Sequence, residues 1–182
     1  MIATFALVAG GLLALFLIYV ATRNGRFRYE RSGLIQAPPE KIFPYISNLK
    51  LGSQWSPYER KDPKMKKSFS GPEDQPGGRM DFDGNKDVGS GSIQILKVIP
   101  NERVELRLQM LRPFKADNLV EYTLKTEMNG TRFTWAMSGE GGFFGKLIVV
   151  MIDCEKMVAD EFSRGIENLK ELIEKDRPNE PV

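Results

Sequence analysis

Apolar and polar positions follow their most regular pattern in the last long stretch of the chain, residues 142–175. Apolar residues recur there at steps of three and four, which defines one face of an α-helix, while charged residues fill the other face. No proline interrupts the stretch, so a single long helix is predicted. Its first half, residues 143–152, is apolar almost all round, which indicates that the rest of the protein encloses it. The helix is either a plain core helix or one that also forms a wall of an internal cavity.

Much of the chain before this helix alternates apolar and polar residues with a period of two, which is typical of strands with one buried face. The clearest alternation covers residues 104–110, and similar patterns cover residues 120–125 and 133–138. Asn129-Gly130 is a strong hairpin signal between the last two. Short connections favour antiparallel pairing. We therefore expect an α+β fold, in which a curved antiparallel sheet of roughly six strands has its apolar face covered by the terminal helix.

The first apolar stretch, residues 2–21, contains no charged residue. As a helix it would be about 30 Å long, which matches the hydrocarbon thickness of a bilayer. A cleaved signal peptide is the alternative, but no charged side chain precedes the stretch and Tyr19-Val20-Ala21 matches a cleavage site poorly. Arginines follow at positions 23, 26, 28 and 31. Because such an excess marks the cytoplasmic side of a span, a single-pass membrane protein with a cytoplasmic C-terminal domain is predicted.

Composition narrows the chemistry that the chain can perform. Its 182 residues include no histidine and one cysteine, Cys154, which excludes histidine-based triads, an intramolecular disulfide and most zinc sites. The formal net charge is +2, but the positive excess is confined to the arginines after the first apolar stretch. Residues 32–182 carry 22 basic and 23 acidic residues. The body of the protein therefore lacks the basic excess that nucleic-acid binding requires.

Known catalytic and cofactor motifs are absent from the sequence. There is no dinucleotide-binding GxGxxG, no phosphate-binding P-loop, no Cys/His cluster and no nucleophile elbow. The glycine-rich residues 84–91 have a spacing that favours a hairpin turn and a bulge over a phosphate loop. Asp81, Asp83 and Asp87 lie close together in the sequence, but we interpret them as solvent-facing. No catalytic residue, metal ligand or cofactor is predicted.

Aromatic and sulfur-containing residues before and within the terminal helix are the main candidates for a binding site. Together they would line an apolar interior between sheet and helix, although the same residues would also make an ordinary core. The predicted ligand-binding cavity is lined by Trp55, Phe82, Met110, Phe114, Tyr122, Trp135, Met137, Phe144, Ile148 and Met151.

Several short motifs resemble the SRPBCC superfamily, also called START-like or helix-grip, and more closely its polyketide cyclase/dehydrase-like proteins. They are APPEKIF at residues 37–43, QWSPY at 54–58, VGSG at 88–91, PNERV at 100–104 and GTRFTWAMSG at 130–139. The resemblance covers residues 28–174 and implies a curved antiparallel sheet that grips a long C-terminal helix, with an apolar cavity between them. The family includes lipid carriers, aromatic-polyketide cyclases, hydroxylase domains and stress-response proteins, so the fold alone does not determine the function.

We therefore expect a membrane-anchored START-like domain that binds a hydrophobic small molecule or lipid in an internal cavity. One alternative is a cyclase/dehydratase-type enzyme that uses Tyr, Asp or Glu side chains in the cavity. Another is a non-catalytic, envelope-associated interaction protein whose interior is filled. The missing histidine and catalytic motifs favour binding over catalysis. The expected organisation is a transmembrane anchor at residues 1–22, a basic linker at 23–27, the START-like domain at 28–176 and a disordered tail at 177–182.

Overall fold

The computed structural model describes residues 2–22, 24–142, 146 and 154–175. Within these ranges the helices are α1 (Ile2–Thr22), α2 (Pro39–Ser47), α3 (Leu49–Gly52), α4 (Pro57–Lys61) and α5 (Cys154–Lys175). The strands are β1 (Arg26–Ile35), β2 (Lys66–Ser70), β3 (Arg79–Asp83), β4 (Ser90–Ile99), β5 (Arg103–Arg112), β6 (Ala116–Glu127) and β7 (Gly130–Glu140).

The strands form one antiparallel sheet in the order β1-β7-β6-β5-β4-β3-β2. Strands β2 to β7 follow one another as a meander, as the short predicted turns favour. The first strand instead lies at the far edge and pairs with the last, from Arg26 opposite Glu140 to Ile35 opposite Thr131. The sheet thus has seven strands rather than the roughly six expected, and β1 and β7 lie side by side where the terminal helix packs.

One face of the sheet is apolar, and helix α5 packs against it. Its side chains lie opposite each other on neighbouring strands, with Val104 opposite Tyr122 and Tyr122 opposite Trp135. Helix α5 contributes an apolar stripe to the same core through Phe162, Ile166, Leu169 and Ile173. The predicted α+β architecture, in which an antiparallel sheet and a C-terminal helix share one core, is therefore confirmed.

Two glycines let the helix approach the sheet closely. A Cβ atom on Gly165 of α5 would lie 2.5 Å from Cζ3 of the Trp135 ring. A Cβ atom on Gly33 of β1 would lie 2.5 Å from Cγ2 of Ile166. Since real Cβ contacts are longer than 3 Å, any larger residue at either position forces the helix and the sheet apart. The helix and the sheet can make contact at this point because neither Gly165 nor Gly33 has a side chain.

The opposite face of the sheet is solvated and carries a ladder of ion pairs. Glu121 on β6 accepts hydrogen bonds from Arg28 on β1 and Arg103 on β5, and Arg107 on β5 pairs with Asp117 on β6. The hydrogen bond from Arg28 is the largest reason why the pKa of Glu121 lies below its usual range. These charges pair with one another across the strands, although Arg103 Nε is buried without a hydrogen-bond partner among the described residues. The predicted binding site lies on the opposite, apolar face.

The N-terminal part of the chain differs from the sequence-based expectation, and part of the predicted terminal helix lies outside the described residues. Strand β1 begins at Arg26, inside the predicted linker at residues 23–27, because Arg26 and Phe27 already pair with β7. Among the residues that the structure describes, no helix has both the length and the apolarity needed to cross a membrane. The predicted first half of the terminal helix, residues 143–152, lies outside the described residues except for residue 146.

The contact at Gly165 can be tested by Gly165→Ala. Alanine favours a helix over glycine by up to about 1 kcal/mol, but its methyl group would overlap a buried, rigid indole ring. We expect a net loss of about 1–3 kcal/mol in the free energy of unfolding, measured by urea denaturation. Gly52→Ala is the matched control, because its Cβ would meet the nearest atom, the Tyr45 carbonyl oxygen, at 3.9 Å. A Gly165→Ala protein at least as stable as the wild type would contradict this account.

Candidate functional site

A cluster of aromatic rings lies between the sheet and helix α5. The Trp135 indole stacks on the Phe162 ring with their centroids 4.3 Å apart and their planes at 14°. Tyr122 approaches Trp135 edge-on at 5.5 Å, and Trp55 does so at 5.3 Å. Phe133 closes the cluster against Trp55 and Tyr122. All five rings are at least nine-tenths buried, so this part of the apolar face is filled by side chains.

Trp55 is held in place although it lies in the turn between α3 and α4. Its Nε1 donates to the Tyr45 carbonyl oxygen at 2.8 Å, and its own carbonyl oxygen accepts from Asn168 Nδ2 at 2.9 Å. The second bond ties the turn to helix α5. Asn168 is itself buried, so both of these polar side chains satisfy the rule that buried donors find partners.

A buried carboxylate lies one residue before Phe162 on helix α5. Glu161 is 6% exposed, and its Oε1 lies 3.0 Å from Nζ of Lys61 on α4 and 2.8 Å from Nη1 of Arg164. The two cations compensate the charge, which is why a carboxylate can remain in this position. The pair with Lys61 also joins α4 to α5 over the aromatic cluster.

Two tyrosines connect this carboxylate to the aromatic cluster. Loss of water contacts and, to a smaller extent, the Glu161 carboxylate raise the pKa of Tyr58 to about 12. Burial and, to a smaller extent, the nearby Tyr58 phenol raise the pKa of Tyr122 above its ordinary value. Both phenols therefore stay protonated near neutral pH and can act there as hydrogen-bond donors.

Two buried polar atoms in this region lack a partner. Among the described residues, nothing accepts the hydrogen of Trp135 Nε1, and nothing donates to Glu161 Oε2. An unpaired buried polar group costs about 1–3 kcal/mol, and more when it is charged. Such atoms are rare in folded proteins, and a bound water molecule or a ligand can supply the hydrogen-bond partner that they lack.

A second apolar cluster lies towards the β2 edge of the sheet. It contains Met65, Met80, Phe82 and Val88, which are all buried. Leu108 and Met110 on β5 pack against it but are only half-buried. Met137 on β7 is half-buried as well, and its sulfur lies 3.7 Å from Nδ2 of Asn118. The apolar face is therefore incompletely covered along the strand ends that carry these three residues.

The structure brings some of the predicted cavity residues together and separates others. Trp55, Tyr122 and Trp135 share the aromatic cluster, while Phe82 and Met110 belong to the second cluster. Met137 packs at the edge of the aromatic core. Phe114 is 60% exposed in the connection between β5 and β6, away from both clusters. Phe144, Ile148 and Met151 lie outside the described residues, so their place in a cavity stays a prediction.

Sequence reasoning missed Tyr58 and Glu161. A signal for Glu161 was available, since it lies three residues after Val158 and four before Gly165, on the apolar stripe of the predicted helix. A carboxylate in such a stripe must be paired or functional. Tyr58 offered no comparable signal, because its neighbourhood depends on how α4 packs against α5.

Two further observations concern possible sites outside the aromatic cluster. An open groove of about 540 Å³ on the outer face lies beside Phe27, Arg107 and Asp117 and includes none of the predicted residues. Among the described residues, no group of three His, Cys, Asp or Glu side chains is arranged to hold a metal ion.

Comparison with known proteins gives one family match and many structural matches. The family model described as "Polyketide cyclase / dehydrase and lipid transport" matches residues 26–174. The chain is similar to protein MLL2253 from Mesorhizobium loti, with 18% identity, a TM-score of 0.62 and coverage of 84% of this chain and 100% of that one. Protein CV1439 from Chromobacterium violaceum gives 16% identity, a TM-score of 0.58 and coverage of 84% and 99%.

A third similar structure is the Aha1 dimer from Colwellia psychrerythraea, with 18% identity, a TM-score of 0.60 and coverage of 84% of this chain and 99% of that one. At such identities the structural matches establish the fold alone. No curated protein matches the chain significantly.

The Tyr58 environment predicts a late step in an alkaline titration. A phenol with its pKa raised from 10.0 to about 12 stabilises the folded state fully below pH 10, and this contribution is lost as the pH rises through 12. We expect the absorbance of the folded full-length protein at 295 nm to show this step, and Tyr58→Phe to remove it. Circular dichroism at each pH checks that the protein is still folded. Loss of a step near pH 10 in the variant would contradict the assignment.

Proposed function

Because this chain belongs to the polyketide cyclase / dehydrase and lipid transport family, we propose that it binds a hydrophobic small molecule or a lipid between the sheet and the C-terminal helix. The family membership confirms the resemblance found in the sequence. It is compatible with a carrier and with an enzyme, so the choice between them depends on the chemistry of the residues in this chain.

The observation that carries the proposal is the incomplete cover of the apolar face, and two unpaired buried polar atoms support it. Leu108, Met110 and Met137 are half-buried, although their strands, β5 and β7, both have a neighbouring strand on either side. Trp135 Nε1 on β7 and Glu161 Oε2 on α5 are buried without hydrogen-bond partners among the described residues. An ordinary core would bury the first group fully and pair the second. An apolar surface with a few convergent polar groups is instead typical of ligand sites.

The protonation states favour binding over the cyclase/dehydratase alternative. General acid–base catalysis is most efficient when the pKa of the catalytic group lies near the working pH. The environment moves the pKa values of Tyr58 and Tyr122 upwards, away from neutrality. Glu161 is already engaged by two cations. The two phenols are therefore suited to orienting a bound molecule as hydrogen-bond donors rather than to exchanging protons with it.

We further propose that residues 2–21 anchor this domain in a membrane and that the domain faces the cytoplasm. The stretch contains no charge and arginines follow it at once, which supports this orientation. Strand β1 starts at the sheet end where β5 turns into β6. Leu111 at the end of β5 and Phe114 in that turn are 62% and 60% exposed. Exposed apolar side chains beside the anchor are compatible with an end of the domain that lies close to lipid.

The binding proposal predicts that a ligand stays bound during purification from the native host. Native mass spectrometry of the full-length protein should show an additional non-covalent mass. Met110→Arg should reduce this adduct at least about tenfold, because a charge on the apolar wall costs more than 1.4 kcal/mol of binding free energy. Leu111→Arg is the matched control, since the neighbouring side chain is exposed on the other face. An adduct absent from the wild type, or equal in both variants, would count against the proposal.

The anchoring proposal predicts the side on which the C-terminus lies. A fluorescent protein that folds only in the cytoplasm, fused after the last residue, should be active. Alkaline phosphatase, which is active only in the periplasm, should be inactive at the same position. The reverse result for this pair of reporters would exclude a cytoplasmic domain.

A further inference from the structure

We propose that the β5–β6 tip, residues 111–115, docks one end of the domain on a membrane surface that carries anionic lipids. This tip comprises the end of β5 and the turn that follows it. Leu111 and Phe114 enter the leaflet, while Arg112 and Lys115 lie among the headgroup phosphates. The inference goes beyond ligand binding and rests on the proposed anchoring by residues 2–21. Three properties of the tip support it: its apolar surface, its charge and its position relative to α1.

The β5–β6 tip exposes apolar side chains. Leu111 and Phe114 are each more than half exposed, and Pro113 between them is exposed as well. Single exposed apolar residues are normal on a protein surface. Here three of them occur within four consecutive residues and form a contiguous apolar surface. Such surfaces mark sites that contact a membrane or another protein.

Basic residues accompany these apolar side chains. Residues 111–116 contain Arg112 and Lys115 and no acidic residue. Arg112 pairs with Asp83, but most of its side chain stays exposed, and Lys115 is exposed too. The binding of a surface segment to a membrane depends on the apolar area that it buries and on its attraction to anionic lipids. The tip offers both, which favours a lipid surface over a protein partner.

The tip lies at the end of the sheet where β1 begins. Asn118 of β6 is opposite Gly139 of β7, and Gly139 is opposite Phe27 of β1. Because β6 and β1 are separated by one strand, they lie about 10 Å apart. The tip extends beyond this row in the direction from which the chain enters β1. The β5–β6 tip and the segment between α1 and β1 are therefore at the same end of the domain.

Two hydrogen bonds hold the end of α1 close to this end of the sheet. Lys146 Nζ donates to the Ala21 carbonyl oxygen at 3.1 Å. Gly141 N, directly after β7, donates to the Gly25 carbonyl oxygen at 2.9 Å. The proposed anchor therefore reaches the domain on the side of the tip, and its own exposed apolar residues include Leu12, Leu15 and Ile18. The cytoplasmic leaflet, beside which the proposed orientation places the domain, carries anionic lipids that attract Lys and Arg.

The incompletely covered part of the apolar face lies towards the same end. Leu108 is opposite Asn118, in the row that continues through β7 to β1. Met110 directly precedes the tip, and Met137 is two residues before the β7 member of that row. All three apolar side chains are half-buried. Docking through the tip therefore places the proposed ligand site beside the acyl chains of the membrane, which are a source of hydrophobic ligands.

The test measures whether residue 114 reaches the acyl chains of a bilayer. The full-length protein is reconstituted into vesicles of equal parts phosphatidylcholine and phosphatidylglycerol, with or without bromine atoms on the acyl chains, which quench an indole on contact. Trp55 and Trp135 are buried, so the wild type supplies a background that the bromine atoms do not reach. The additional fluorescence in Phe114→Trp should fall at least about twofold in brominated vesicles, because an inserted apolar side chain lies about 5–10 Å deep.

Met128→Trp is the matched control. Met128 is also an exposed apolar residue in a turn between two strands, but it follows β6 whereas the β5–β6 tip precedes it. The 12 residues of β6 separate the two turns by roughly 35–40 Å along the strand. The additional fluorescence in Met128→Trp should therefore be equal in the two kinds of vesicle.

The contribution of anionic lipid is tested by a second substitution in the Phe114→Trp protein. Lys115→Glu should weaken the quenching at least about twofold, because it replaces an attraction to the headgroups by a repulsion. Lys125→Glu, which changes an exposed lysine towards the opposite end of β6, should leave the quenching unchanged. Equal effects of the two charge reversals would overturn the assignment to anionic lipid. Circular dichroism checks that each variant is folded.

Vesicle flotation separates this inference from the anchoring proposal. A protein that floats with the vesicles but shows no quenching in Phe114→Trp would overturn docking by the β5–β6 tip and leave the anchor intact. Equal quenching in Met128→Trp would also overturn it. A wild type that does not float with the vesicles would overturn anchoring and docking together. None of these results requires a bound ligand, so the binding proposal is tested separately by the native mass spectrum.

Discussion

The fold depends on the direct contact between helix α5 and the sheet at Gly165 and Gly33. With a side chain at either position the helix would stand further from β1 and β7, and the Trp135–Phe162 stack at 4.3 Å would open. That stack places Glu161, the preceding residue, next to α4. The ion pair between Glu161 and Lys61 connects α4 to the same helix, and the hydrogen bond from Asn168 Nδ2 to the Trp55 carbonyl oxygen connects the turn between α3 and α4 to it.

Burying polar groups costs free energy of folding. In this region some buried polar groups have hydrogen-bond partners and others have none. Trp55 Nε1 and Asn168 Nδ2 donate to backbone carbonyl oxygens at ordinary distances. Trp135 Nε1 and Glu161 Oε2 are also buried but have no hydrogen-bond partner among the described residues. Hydrophobic residues of similar size would avoid this cost. Unpaired polar atoms beside a half-covered apolar wall are therefore better explained by recognition of a molecule than by stability.

The outer face of the sheet is charged and hydrated, while the inner face is apolar and carries the proposed binding site. On the outer face, Glu121 lies between Arg28 and Arg103, and Arg107 pairs with Asp117 across the strands. Cross-strand ion pairs of this kind keep the outer face hydrated and contribute modestly to stability. The inner face is free of this pattern. Its apolar residues are continuous from Val104 through Tyr122 to Trp135, and the buried carboxylate of Glu161 on helix α5 is paired with Lys61 and Arg164.

Local periodicity and short motifs are enough to predict most of the strands, the described part of the terminal helix and the family. The period-two pattern at residues 104–110 and the helical period after Cys154 are both found where predicted. The pairing of β1 with β7 could not be read from the chain, since it joins segments far apart in sequence. The tertiary structure also decided which predicted residues meet. Phe114 has an apolar side chain, as expected of a cavity residue, but it lies exposed in a turn. Glu161 has a charged side chain, as expected of a surface residue, but it is buried. The rotation of α5 and the register of the strands decide such neighbours, and both depend on packing between distant segments rather than on local sequence.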